Sequence, residues 1–185
     1  MILEKLRHNV AKILLRRKVS KRRRKKELYD FASAKYVGIL CSPQNEVNTA
    51  HLKKFLQYLS QKGIKYSVFG YFDGKTAPEN FLYAKGIDFI TQQDLNFFLI
   101  PKSITVDKFI DEPFDMLINF DFIDYFPVDY MAQLSVAKCK VGIKREEYSC
   151  YDLMFDVGKN KTLDYYIKNL YLYLSNLRNT QIVQT

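Results

Sequence analysis

The densest group of charged side chains is a basic run near the front of the chain, RRKVSKRRRKK at residues 16–26, in which nine of eleven residues are lysine or arginine. Each such cation can neutralise a phosphate and release counterions, so the run predicts salt-dependent binding to a polyanion. Arginine also forms bidentate hydrogen bonds with phosphate oxygens. The cations that we predict to contact nucleic acid are Lys5, Arg7, Lys12, Arg16, Arg17, Lys18, Lys21, Arg22, Arg23, Arg24, Lys25 and Lys26.

The net charge of +9 belongs to this first segment and not to the chain as a whole. Residues 1–35 carry thirteen basic and three acidic side chains, a net charge of +10, whereas residues 36–185 carry sixteen and seventeen, a net charge of −1. This division excludes a uniformly basic nucleic-acid coat. Dense basic arms that order on binding are common in RNA-bound proteins, so we expect structured RNA, with the ribosome as one candidate, to be the partner. No helix-turn-helix, zinc-finger or RNP pattern is present for reading a base sequence.

An anionic membrane surface is a second partner for the same segment. Within the segment Ile2 to Leu15, apolar residues recur at positions 2, 3, 6, 10, 13 and 14 with the period of a helix, and basic residues fall mostly around its other face. That pattern is typical of an interfacial anchor on anionic lipid, but the apolar stripe can equally pack on the body or on a partner. No secretory signal precedes it, and no uncharged apolar run reaches the ~18 residues of a membrane span.

A further group of polar side chains follows three of the predicted strands. In a doubly wound sheet, ligands collect beyond the carboxyl ends of the strands, at the point where the strand order reverses. The candidate crevice residues there are Ser42, Asn45, Asp73, Lys75, Asn119 and Asp121. The alternative is that Ser42 and Asn45 are turn and helix-capping residues. Asp121 and Asp124 are, likewise, either an acid/base or metal-binding pair or two solvated loop acids.

Signatures of cofactor or metal chemistry are missing from the sequence. CSPQNEVN follows the first predicted strand and contains neither a dinucleotide-binding nor a P-loop pattern. His8 and His51 lie far in sequence from the three cysteines, Cys41, Cys139 and Cys150. The odd number of cysteines, their wide spacing and the absence of C-x-x-C favour a reducing compartment. We therefore predict no cofactor, no metal and no catalytic residue, and we keep a nucleotide- or sugar-nucleotide-binding enzyme as the alternative function. Cys41 as a nucleophile has no histidine placed to act as its base.

Alternating strands and helices must position these residues. The sequence predicts strands at Tyr36–Cys41, Lys65–Tyr71, Ile87–Thr91, Phe114–Phe120, Lys140–Ile143 and Asp152–Val157. It predicts helices at Ile2–Leu15, Asn48–Lys62, Pro78–Gly86, Val106–Ile110, Pro127–Ala137 and Thr162–Leu177. The alternation predicts a three-layer Rossmann-like α/β domain over residues 36–185, with a mostly parallel sheet of about six strands, preceded by a basic amphipathic helix in residues 1–35. A break between the third and fourth strands predicts the order 3-2-1-4-5-6.

Two resemblances accompany this interpretation. The basic front arm, YVGIL, FGYFDGK, DLNFF followed by PKS, FDMLINF, LSVAKCKVGI and YDLMFDVGKNKTLDYYI together resemble a bacterial domain-of-unknown-function family of small α/β proteins with a basic leader. That resemblance covers nearly the whole chain, and implies the α/β fold and a cytoplasmic setting in bacteria, but no activity. Residues 114–143, FDMLINFDFIDYFPVDYMAQLSVAKCKVGI, are similar to the strand–loop–helix–strand segment in the acceptor half of heptosyltransferase-like glycosyltransferases. A complete enzyme of that type needs a second, donor-binding domain, which we do not expect in a chain of this length.

Overall fold

A computed structural model of the chain describes residues 2–42, 46–77, 86–145, 150–159, 162–175 and 177. The helices are α1 (Ile2–Val19), α2 (Glu46–Gln61), α3 (Ile104–Asp111), α4 (Phe126–Leu134) and α5 (Leu163–Leu174). The strands are β1 (Tyr36–Cys41), β2 (Lys65–Phe72), β3 (Ile87–Thr91), β4 (Met116–Asn119), β5 (Cys139–Ile143) and β6 (Leu153–Phe155). The helical stretch predicted from Pro78 falls on residues 78–85, which lie outside the described residues.

The six strands form one sheet in the order β3-β2-β1-β4-β5-β6, and every neighbouring pair is parallel. The predicted α/β class and strand order are therefore confirmed. The order reverses between β1 and β4, where Leu40 is paired with Asn119. The carboxyl ends of these two central strands thus open at the same edge of the sheet.

Both faces of the sheet are covered, which explains why its central strands are almost continuously apolar. Ile39 and Ile118 face the layer that contains α2 and α5, whereas Leu40 and Leu117 face the layer that contains α1, α3 and α4. Complete burial of one large apolar side chain, such as Phe55 of α2, contributes about 1.5–3 kcal/mol.

Local signals fix where several helices begin and end. The Ser103 and Thr162 side chains cap α3 and α5 by accepting hydrogen bonds from backbone N–H groups of the first turn. Gly63 follows α2 with a φ of 70°, in the left-handed region that favours glycine at a helix C-terminus. These ends set the loops that carry polar residues to the edges of the sheet.

Candidate functional site

The first helix packs on the body through a narrow inner face. Ala11 and Leu15 are fully buried in the core layer that also holds α4, and Leu14 and Val19 are partly buried against it. The helix runs through Val19, four residues beyond its predicted end at Leu15. Because this inner face uses few residues, most of the helix surface is left to solvent.

The segment after α1 is fastened to the body by two arginines of the basic run. The Arg24 guanidinium donates to both carboxylate oxygens of Asp152, at 2.8 and 2.7 Å, and to the carbonyl oxygen of Lys138 at 3.0 Å. Arg22 donates to Asp111 at 2.6 Å and to the carbonyl oxygen of Leu134 at 3.1 Å. These two predicted nucleic-acid contacts are thus engaged by the body itself.

Two further cations of α1 are also directed at the body. The Lys18 ammonium donates to the Tyr130 hydroxyl at 2.7 Å. The Arg7 guanidinium lies 5.5 Å from the centroid of the Phe97 ring, within the range of a cation–π contact. Four of the twelve predicted cations, including Arg22 and Arg24, therefore help to hold α1 and the segment that follows it in place.

The other eight predicted cations are exposed, and we call them the outer cations. Lys5, Lys12 and Arg16 are spaced so that they share one face of α1. In the segment after the helix, burial alternates, so Lys21, Arg23 and Lys25 face solvent while the two arginines between them face the body. The outer cations are Lys5, Lys12, Arg16, Arg17, Lys21, Arg23, Lys25 and Lys26.

The apolar stripe predicted on α1 lies mostly outside the core. Leu3, Leu6 and Ile13 are 65%, 58% and 50% exposed, although all three belong to the helical pattern seen in the sequence. Together with the neighbouring cations they form a surface that is partly apolar and strongly basic. Among the described residues, no helix combines the length and hydropathy that crossing a bilayer requires.

At the strand-end crevice, three of the predicted residues meet. The Asp121 carboxylate accepts hydrogen bonds from the Ser42 backbone N–H at 2.6 Å and from the Ser42 hydroxyl at 3.0 Å. Asn119 accepts from the Asp121 backbone N–H at 2.9 Å and donates to the Tyr151 hydroxyl at 2.6 Å. Burial raises the pKa of Asp121 to about 6, and the hydrogen bonds from Ser42 and the charge of Arg145 oppose that rise.

The cavity that the described residues form beside those mutual contacts is small. The cavity lined by Cys41, Ser42 and Asp121 measures about 20 Å³, which is room for about one water molecule. Asn45 lies outside the described residues. Asp73 instead accepts hydrogen bonds from the Tyr71 hydroxyl and the Gln92 amide, and Lys75 is exposed.

Neither a nucleophilic Cys41 nor a carboxylate pair of Asp121 and Asp124 is supported by the surroundings of these side chains. Burial and the nearby Asp121 carboxylate raise the pKa of the Cys41 thiol far above its ordinary value, so it is a poor nucleophile. Asp124 is exposed and forms an ion pair with Arg145 rather than a pair with Asp121. In the part of the chain that the structure describes, no three His, Cys, Asp or Glu side chains are grouped to hold a metal ion.

A larger cleft, of about 490 Å³, lies where residues 20–26, the basic segment that follows α1, meet α4 and the residues before β6. Lys140 of β5 lines this cleft although it is only 2% exposed. The sequence pattern predicts that Lys140 lies in a strand but does not mark it as a site residue. The available signal was a lysine inside the otherwise apolar strand CKVGI, since lysine is rarely buried without a partner.

Comparison with known proteins identifies a family whose function is unknown. A model described as a family of unknown function, DUF6913, matches residues 7–177. No curated protein matches the chain significantly. The matched range includes most of α1 and the whole basic segment, as well as every strand of the sheet.

Proposed function

The chain belongs to DUF6913, a family of unknown function, and from its own residues we propose that it is a non-catalytic protein that docks on structured RNA through the outer cations. The observation that carries this proposal is that the cations within residues 5–26 fall into two groups, one that holds the segment on the body and one that is exposed. Four cations hold the segment on the body, and the eight outer cations are exposed on the surface that those contacts hold in place. One of the outer cations, Lys26, also lies 3.7 Å from the Asp152 carboxylate.

Ordering of the basic segment before binding favours docking. A free basic arm loses conformational entropy when it binds, whereas a segment already tied down by Arg22 and Arg24 loses less. The alternating exposure from Lys21 to Lys25 then offers a fixed row of cations to a phosphate backbone. Such contacts read charge and shape rather than base sequence.

RNA binding is tested by changing the outer cations that follow α1. In the full-length chain, the variant Lys21→Gln, Arg23→Gln, Lys25→Gln, Lys26→Gln removes four charges while leaving Arg22 and Arg24 untouched. Its matched control removes four exposed charges from the body. The control changes Lys53, Lys54, Lys102 and Lys108 to Gln.

Affinity for a structured ribosomal RNA fragment is measured by filter binding over a series of salt concentrations. We expect the variant with four changes in the basic segment, the arm variant, to bind more weakly than wild type. The slope of log affinity against log salt concentration should fall by about one for each phosphate that the variant no longer neutralises. We expect the control to retain the wild-type slope. Equal slopes for wild type and the arm variant contradict RNA docking through this surface.

A peripheral membrane protein is the second candidate, and the exposed Leu3, Leu6 and Ile13 favour it. An apolar face flanked by cations suits the surface of an anionic bilayer. Flotation of nuclease-treated protein with phosphatidylserine vesicles tests this candidate, with Leu6→Gln, Ile13→Gln as the variant. Vesicle binding that the variant loses supports membrane docking, and its absence in the wild-type protein contradicts it.

A further inference from the structure

The cleft beside β5 has an unusually one-sided charge. Five of its lining residues are cationic, and none of its lining residues is acidic. The cations come from two separate parts of the chain, the basic segment and strand β5. They are Arg22, Arg23, Arg24, Lys26 and Lys140.

Pairing with acids outside the cleft accounts for only some of these charges. Arg22 pairs with Asp111, and Arg24 and Lys26 lie within 4 Å of Asp152. Among the described residues, Arg23 and Lys140 have no carboxylate within ion-pair distance. The cleft therefore keeps an excess of positive charge where its buried floor meets its exposed rim.

Lys140 supplies the buried part of that excess. Its ammonium donates to the carbonyl oxygen of Gln133 at 2.9 Å, which uses one of its three N–H donors. Burial lowers the pKa of Lys140 to about 8, while Asp152 opposes that change and Arg24 and Lys26 add to it. A buried ammonium that lacks an anionic partner is costly, and a bound anion would offset the cost.

We propose that this cleft binds a phosphomonoester, with the phosphoryl oxygens accepting hydrogen bonds from Lys140 and Arg23. A dianion with three terminal oxygens matches two cations that line one cleft better than a single carboxylate does. The volume falls within the ~300–1,000 Å³ of small-molecule sites, so an organic group can occupy the space beside Cys150 and the Tyr151 ring. This assignment goes beyond docking on RNA, because its principal residue is buried and is not one of the outer cations.

Binding to the full-length protein by isothermal titration calorimetry tests the site with named probes. The probes are inorganic phosphate, inorganic pyrophosphate, adenosine 5′-monophosphate, and an RNA oligomer with and without a 5′-phosphate. The variant Lys140→Met removes the ammonium and keeps an unbranched side chain of similar length. Lys144→Met, just beyond the other end of β5, is the matched control, since Lys144 is exposed and pairs with Asp156.

We expect at least one phosphate-bearing probe to bind the wild-type protein and to bind Lys140→Met at least about tenfold more weakly, as loss of a charged hydrogen bond implies. Lys144→Met should bind like wild type. Dependence on the 5′-phosphate of the oligomer identifies RNA ends as the source, and binding of the free probes identifies a small molecule. Arg23→Gln, an exposed change that leaves the core intact, should also weaken binding.

The site is overturned if no probe binds the wild-type protein, or if Lys140→Met and Arg23→Gln both bind with wild-type affinity. These results are separable from RNA docking. RNA binding that needs Lys21, Lys25 and Lys26 but is indifferent to Lys140→Met leaves the proposed function standing and removes the phosphomonoester site.

Discussion

The guanidinium of Arg24 and the carboxylate of Asp152 form a bidentate ion pair that joins the basic segment to the residue before β6. Both side chains are largely shielded from solvent, at 13% and 14% exposure. Asp152 also accepts the backbone N–H of Lys140 at 2.8 Å, so one carboxylate holds the basic segment and the edge of the sheet together. A residue that resembles its neighbours in the run is thus a structural anchor.

Replacing Arg24 with methionine should destabilise the fold by about 2–3 kcal/mol. The change removes both guanidinium donors from a shielded carboxylate and leaves it only the Lys26 ammonium at 3.7 Å, and such loss is costly. Urea denaturation gives the free energy of unfolding. Arg23→Met is the matched control, and because Arg23 is exposed we expect a change within about 0.5 kcal/mol. Equal losses in the two variants would show that the ion pair does not anchor the segment.

The sequence was sufficient to predict the sheet but not the roles within the basic run. Apolar strands such as β1 and β4, separated by helical periods, determined both the α/β class and the strand order. Arg22 and Arg24 differ from Arg23 only in the direction of their side chains, which depends on where Asp111 and Asp152 lie after folding. No local pattern carries that information.

The crevice was also only partly predictable. The switch point placed Ser42 near Asp121 because β1 and β4 are neighbours, and the hydrogen bonds confirm that proximity. What the sequence did not indicate is that these groups satisfy one another. In the part of the chain that the structure describes, the cavity beside them measures about 20 Å³. The larger cleft depends on Lys140, whose side chain faces α4 from within a strand.

Asp121 should make stability fall as the pH rises from about 4 to 6. Burial raises its pKa from 3.8 to about 6, so the folded state holds the proton more tightly than the unfolded state across that window. The two values differ by an amount that corresponds to about 3 kcal/mol. The free energy of unfolding of wild type relative to Asp121→Asn, measured by urea denaturation at each pH, should decline by about that amount. Asp88→Asn, at an exposed position of β3, is the matched control substitution.

Lys140 should make stability rise with pH at the alkaline end. Burial lowers its pKa from 10.5 to about 8, so between these values the unfolded chain binds the extra proton and the folded state gains stability as the pH increases. The charged form costs about 3 kcal/mol at neutral pH. Lys140→Met should therefore be more stable than wild type at pH 7, with an advantage that shrinks towards pH 10. A variant less stable than wild type at pH 7 would contradict this account.

A pair of substitutions in α1 separates the face that packs from the face that is available to a partner. Leu15→Ala removes a side chain buried against α4 and should destabilise the protein by about 2–4 kcal/mol. Ile13→Ala, two residues away and half exposed, should change the free energy of unfolding by less than about 0.5 kcal/mol. Both residues are apolar and lie within the predicted helix Ile2–Leu15, so the sequence alone does not rank them. If Ile13→Ala proves as costly as Leu15→Ala, the helix packs through its outer stripe, and that stripe is not free for a membrane or a partner.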